Sequence, residues 1–274
     1  MSSATLQRLL RLPAALALLL AGCASVPPHA GENPADPWER ANRQVFEFND
    51  RFDRHLLAPV ARGYAWAVPQ GARNCISNVF YNVGEVGSFI NAALQAEGHS
   101  MAVDAGRFAA NTTVGLLGCF DVAQRWGLER NRQDFGLTLG KWGLEPGPYV
   151  VLPFLGPHSL RDAAGEIPDY FTDPVSYVKP VADGYYITAA HFVDRRAQLL
   201  DAGSMIDQAS FDRYTFLRDA YLQQRRNRVY NGNPPPTLEE EDPGDSPAPT
   251  APATAPATPP AAPPAPAPAA PERQ

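Results

Sequence analysis

The end of this 274-residue chain sets the size of what can fold. From Asn231 onward the sequence turns to Pro, Ala and Thr, with the acidic knot Glu239-Glu240-Glu241-Asp242 near its start, and about half of the chain's 29 prolines fall there. Such a segment buries too little apolar surface to offset the entropy of ordering it. Residues 231–274 therefore read as a disordered Pro/Ala-rich tail of polyproline-II character, either passive or a spacer reaching about 120 Å at most. What remains suffices for one domain of roughly 200 residues. The tail also holds six acids and one Arg, a net of -5 against -6 for the whole chain. A nearly neutral body offers no electrostatic case for nucleic acid.

The other end carries a secretory signal. Arg8 and Arg11 precede an apolar run from Leu12 to Ala21, which is too short to span a bilayer, since a transmembrane helix needs about 20 apolar residues. Leu20-Ala21-Gly22-Cys23 resembles the lipobox of bacterial lipoproteins, in which the Cys is acylated and becomes the new N-terminus. This makes residues 1–22 a signal peptide, Cys23 the lipid anchor and residues 23–35 a linker. The plainer alternative is an ordinary signal peptide that happens to contain a cysteine. Ala24 and Ser25 follow in place of an Asp retention signal, which favours the outer membrane. Cys75 and Cys119 then lie in a compartment that oxidises thiols, so a disulfide between them is the first expectation, with two buried free thiols close behind it.

Between the two ends the pattern is helical. Asp36-Pro37-Trp38-Glu39 predicts a helix start, with Asp36 as N-cap and Glu39 closing a capping box, and the helix should run to about Leu57, ahead of Pro59. Trp38, Val45, Phe48, Phe52 and Leu56 recur on one face, as core residues would. Further helices are predicted over 84–96, over 101–113 with Ser100 as cap, over 181–202, and over 208–230 with Phe211, Tyr214, Leu217 and Tyr221 as a core stripe. Few stretches alternate as strands do, so residues 36–230 read as one mainly α domain. Two apolar stretches interrupt it, 114–120 and the glycine-punctuated 136–157. Each fits a buried loop. In a membrane-tethered protein each equally fits a surface that meets acyl chains.

Motifs for chemistry are absent. The chain has no Gly-x-Ser-x-Gly elbow, no His-Glu-x-x-His helix and no Cys-x-x-Cys pair, and its five histidines lack ligand spacing. Gly136-Leu-Thr-Leu-Gly140-Lys141-Trp142 is one residue short of a phosphate loop and has Trp where Ser or Thr must bind magnesium. Neither an enzyme nor a cofactor is expected. A tethered lipid-processing enzyme ranks last among the readings.

One family accounts for the ordered motifs. Asn33-Pro-Ala-Asp-Pro37, Asn42-Arg43, Phe46-Glu-Phe-Asn49, Val68-Pro-Gln-Gly-Ala-Arg-Asn74, Phe135-Gly-Leu-Thr-Leu-Gly140, Gly147-Pro-Tyr-Val-Val-Leu-Pro-Phe154, Leu160-Arg161-Asp162 and Arg195-Arg-Ala-Gln-Leu-Leu-Asp201 resemble the MlaA (VacJ) phospholipid-transport lipoproteins. The resemblance implies a ring-like, multi-helix single domain embedded in one leaflet of the outer membrane, beside a trimeric porin. Through an amphipathic channel it would remove phospholipids misplaced in the outer leaflet, passing them to a soluble periplasmic carrier. Val45, Phe48 and Asn49 become channel candidates, with Leu116 and Leu117 from the apolar stretch. Gly115, Gly118, Gly140 and Gly143 become hinges of a gating hairpin over about 111–144. The rival expectation is a structural lipoprotein that braces a porin or the cell wall.

Overall fold

The computed structural model describes Pro27, residues 30–203 and residues 212–235. The signal segment, Cys23, Phe211 and the tail beyond Pro235 lie outside these residues. Mainly α is the fold class found. Helix α1 (Glu39–Phe52) continues through a π-helical turn (Asp53–Leu57) into α2 (Ala58–Ala67). The stop expected at Leu57 does not occur. The Ala58 N–H reaches the Asp53 carbonyl, five residues back, and Pro59, which has no N–H to donate, follows directly on this widened turn. The helix ends instead at Val68, which is extended as a residue before Pro must be.

The helix start also differs from expectation. Helix α1 begins at Glu39, with Trp38 in the cap position and no side-chain cap. Asp36 is fully buried and accepts from Asn42, Tyr214 and Arg218 instead, while Glu39 accepts from the Gly31 N–H and pairs with Arg43.

Helix α3 (Gln70–Leu94) starts well before the predicted 84, and α4 (Gly98–Thr113) starts before Ser100, whose hydroxyl donates to Glu97 rather than capping. The two pack as an antiparallel pair, because Ser88 meets Asp104, Glu85 meets Arg107 and Asn82 meets Thr112. Short helices α5 (Val122–Arg125) and α6 (Phe135–Lys141) follow, each N-capped by an Asp side chain, Asp121 and Asp134. A hairpin absent from the sequence-based expectation comes next. Strands β1 (Tyr149–Leu152) and β2 (Gly156–Ser159) pair antiparallel, with Tyr149 opposite Ser159 and Leu152 opposite Gly156.

Ser159 caps α7 (Leu160–Thr172), a 3-10 turn (Pro174–Tyr177) leads to α8 (Val181–Gln198), and α9 (Arg213–Val229) starts at Asp212, whose carboxylate accepts from the Tyr214 and Thr215 N–H groups. Helix α9 lies against the hairpin. There Tyr149, Val151 and Tyr214 form a buried hydrophobic cluster, with Val45, Phe46, Tyr221 and Leu222 packed on it.

Candidate functional site

The distribution of polarity is reversed from that of a water-soluble helical domain. Among the described residues, ten buried hydrophobic ones include six alanines, whereas nineteen buried residues are polar or charged. Hydrogen bonds and ion pairs therefore hold much of the interior. Large apolar side chains face outward instead: Ile167, Tyr170 and Phe171 on α7, Tyr185 and Tyr186 on α8, and all four tryptophans, with Trp66 89% exposed. Apolar surface on this scale marks contact with lipid or another protein. No helix among the described residues is long and apolar enough to cross a membrane.

The polar interior is built from one face of α3. Ser77, Asn82, Glu85, Ser88 and Asn91 follow at three- to five-residue spacing and are all buried. Arg107 of α4, fully buried, donates to Glu85 at 2.7 Å and to Asp121 at 2.9 Å. Ser88 donates to Asp104 at 2.8 Å and accepts from the Gln133 N–H at 2.9 Å. Thr138 donates to Asn91, which donates to Asp169 at 3.0 Å. Burial pushes the Asp104 and Asp169 carboxyls up to about 6, against the hydrogen bonds they accept. Burial acts the same way on Asp134, but the Arg225 fork, at 2.6 and 2.7 Å, more than offsets it and holds that carboxyl below its usual range. Sequence reasoning missed this interior because it sought apolar periodicity; the same test applied to polar residues would have found it.

The candidate channel residues fall in two places. Val45 packs on the hairpin cluster. Phe48 and Phe52 meet the Phe154 ring edge-on, with centroids 5.3 and 5.0 Å apart. Asn49 donates to the Leu152 carbonyl at 2.9 Å and accepts from the Phe154 N–H at 2.8 Å. Two turns earlier, Asn42 does the same for Tyr149 and Val151, so α1 holds the hairpin backbone through two asparagines. Contrary to the apolar-stripe expectation, Trp38 and Leu56 are exposed, and the buried residues of α1 are Glu39 and Asn42.

Leu116 and Leu117 form an exposed tip, both with positive φ, on a loop joined to α3 by the Cys75–Cys119 disulfide. Asn78 adds a hydrogen bond to the Cys119 carbonyl. A Cβ on Gly115 would lie 2.2 Å from the Phe120 carbonyl oxygen, one on Gly118 would meet Asn82 at 2.6 Å, and one on Gly140 would meet Arg161 and Val229 at 2.7 Å. Gly143 differs, with φ +94 and nothing within 4 Å of where a Cβ would sit. Among the described residues no group of His, Cys, Asp and Glu converges to hold a metal ion.

Comparison with known proteins follows the same span. The chain matches the sequence profile described as MlaA lipoprotein over residues 34–228. It is 38% identical over 219 residues to the intermembrane phospholipid transport system lipoprotein MlaA of Escherichia coli (strain K12), covering 78% of this chain and 85% of that protein. For the protein of the same description from Haemophilus influenzae the identity is 32% over 209 residues, covering 72% and 80%. A solved structure described as the structural basis for maintenance of bacterial outer membrane lipid asymmetry aligns with a TM-score of 0.61 at 35% identity, covering 72% of this chain and 99% of that one.

Proposed function

The chain belongs to the MlaA lipoprotein family, and from that premise we propose that it draws mislocalised phospholipids out of the outer leaflet of the outer membrane and hands them to a soluble periplasmic carrier. The observation that carries this reading is the reversed polarity of the domain: apolar side chains outside and a hydrogen-bonded polar interior suit a body bathed in acyl chains around a route for headgroups. Two acyl chains crossing water unprotected would face a barrier on the order of 20 kcal/mol, so a covered path is the main requirement. Cys23 anchors the body to the membrane, and a trimeric porin stands beside it. Val45, Phe48, Asn49, Leu116 and Leu117 contact the passing lipid.

The segment over about 111–144 gates the route. Its crowded, crosslinked start at Gly115 and Gly118 favours a fixed base, and the open surroundings of Gly143 favour a hinge there.

The test is surface phospholipid in cells lacking the protein, read with a phospholipase confined to the outer leaflet. Accumulation in the deletion strain, relieved by the wild type and not by Cys23→Ser, is expected. A deletion strain with no added surface phospholipid would overturn the reading.

A further inference from the structure

Strands β1 and β2 are closed by the loop Pro153-Phe154-Leu155, since Leu152 pairs with Gly156. Phe154, in the middle of the loop, has φ +64, a left-handed backbone conformation that a bulky residue rarely adopts. Glycine would sit there without strain, and no core requires the ring, because Phe154 is 55% exposed. A residue held against its own preference persists only where its surroundings over-determine it.

Here the surroundings belong to one helix. Asn49 of α1 grips the loop on both sides of Pro153, donating to the Leu152 carbonyl at 2.9 Å and accepting from the Phe154 N–H at 2.8 Å. Phe48 and Phe52, one turn apart on α1, present their rings nearly perpendicular to that of Phe154, at 78° and 82°. Asn42 separately fastens the backbone of Tyr149 and Val151, so the strands do not depend on Asn49. What Asn49 fixes is the loop. That loop carries no charged or hydrogen-bonding side chain, and Leu155 beside the ring is 49% exposed.

On the transport reading, which puts Phe48 in the path, we infer that Phe154 is a further contact for the acyl chains of the passing phospholipid and that Asn49 is the positioning residue that aims it. The ring continues the apolar surface of Phe48 and Phe52 and has nothing to offer a headgroup. The Asn49 oxygen and one of its N–H groups are committed to the hairpin backbone, so its effect on transport runs through Phe154.

The experiment compares initial rates of surface-phospholipid clearance in the deletion strain carrying wild type, Phe154→Asn, Phe154→Leu, Asn49→Ala or the double variant Asn49→Ala/Phe154→Asn, at matched protein levels. Phe154→Asn puts a residue that tolerates the left-handed conformation in place of the ring, so the thermal midpoint should stay near that of the wild type while clearance slows about tenfold. A ring needed only for packing would move the midpoint and not the rate. Phe154→Leu keeps apolar bulk and should stay within about threefold of the wild type. Asn49→Ala should approach Phe154→Asn, and the double variant should be no slower than Phe154→Asn alone, as two residues acting through one contact require.

Two readouts do not depend on the rate of transport. In purified full-length Asn49→Ala the Phe154 amide should exchange with solvent while those of Tyr149 and Val151 stay protected. A photoreactive p-benzoylphenylalanine at position 154, irradiated in cells, should form an adduct with phospholipid. Wild-type clearance by Phe154→Asn, or an adduct with protein alone, overturns the lipid contact. Losses that multiply in the double variant, or a Phe154 amide that stays protected in Asn49→Ala, overturn the positioning role. A deletion strain without surface phospholipid sinks the transport reading and the lipid contact together, whereas a wild type that clears lipid no faster than Phe154→Asn sinks the lipid contact alone.

Discussion

At the hairpin, Tyr149, Val151 and Tyr214 bury rings and methyls against Val45, Phe46, Tyr221 and Leu222, whereas between α3 and α4 the groups hidden from water include Glu85, Ser88, Asn91, Asp104 and Arg107. The first region is held by apolar burial and the second by hydrogen bonds and ion pairs. The helices of the second region place Phe89, Leu94, Phe108 and Val114 on the outside. A helix has one face for its neighbours and one for its solvent, so apolar residues spent outside leave polar ones inside. In water that exchange is unfavourable at both faces; against acyl chains the outer face becomes favourable and the inner polar face must be fully paired.

The largest expected difference between the regions comes from Arg107→Met. Removing the guanidinium leaves buried Glu85 with only the longer contact to Arg130, at 3.7 Å, and should cost about 3 kcal/mol in urea unfolding, most of it recovered in the double variant Glu85→Leu/Arg107→Met. At the hairpin Val151→Ala removes two methylenes' worth of burial and should cost about 2 kcal/mol. Equal costs for Arg107→Met and Val151→Ala would erase the distinction.

Acid should move the two regions in opposite directions. Asp104 and Asp169 are raised to about 6 by burial, so the folded state binds more protons than the unfolded one between their ordinary carboxylate range and about 6. Stability gained from protonating them rises as pH falls through 6 toward 4, and the penalty is fully present above 6. For Asp104 that penalty is on the order of 2–3 kcal/mol at pH 7, and Asp104→Asn should remove it and flatten that limb of the stability curve. Asp212 is the converse. Burial alone would raise it, but Arg43 and Thr215 hold it at about 2, so its contribution is present above about 4 and lost as pH falls toward 2. Unfolding followed from pH 7 to pH 2 in wild type, Asp104→Asn and Asp212→Asn separates the two limbs; an unchanged limb between pH 6 and pH 4 in Asp104→Asn would contradict the assignment.

Within the hairpin region two tyrosines sharpen the contrast at smaller scale. The Tyr214 hydroxyl donates to buried Asp36, so Tyr214→Phe should cost about 1.5–3 kcal/mol. The Tyr149 hydroxyl is buried without a partner, so Tyr149→Phe should be neutral or stabilise by up to about 1 kcal/mol. Thermal midpoints of the two variants that shift in the same direction would show that the polar contacts of this region matter less than its ring packing.

These contrasts explain which parts of the fold were legible in the sequence. The stripe of α9 is legible through Tyr214 and Tyr221, because there apolar periodicity and burial coincide. The first half of α3 is not, because Gly71, Asn74, Ser77, Asn78 and Asn82 look like loop residues when the buried face of a helix is assumed to be apolar. The hairpin escaped because Tyr149-Val150-Val151-Leu152 does not alternate and its partner strand contains Pro157. Asp36 and Glu39 have the spacing of a capping box, but the donors that engage Asp36 instead lie more than 100 residues away on α9, where spacing cannot reveal them. Of the candidate site, the segments were legible and the contacts were not: nothing local shows that Asn49 braces the hairpin backbone.

The smallest expected effect bears on the segment that leaves the polar region. Gly115 and Gly143 both read as hinges in sequence, yet a Cβ on Gly115 would run into backbone atoms of Phe120 and Asn111, whereas one on Gly143 meets only the cost of a positive φ. Gly143→Ala should therefore lower stability by about 1 kcal/mol, and Gly143→Asn by less, since Asn tolerates that backbone region better. If residue 143 moves during transport, the two variants should slow clearance of surface phospholipid in the same order as they restrict the backbone, Ala more than Asn, at nearly native stability. Clearance at the wild-type rate in Gly143→Ala would place the moving joint elsewhere, and the crosslinked turn at Gly115 and Gly118 would be the wrong place to look for it, because Cys75–Cys119 ties that turn to α3.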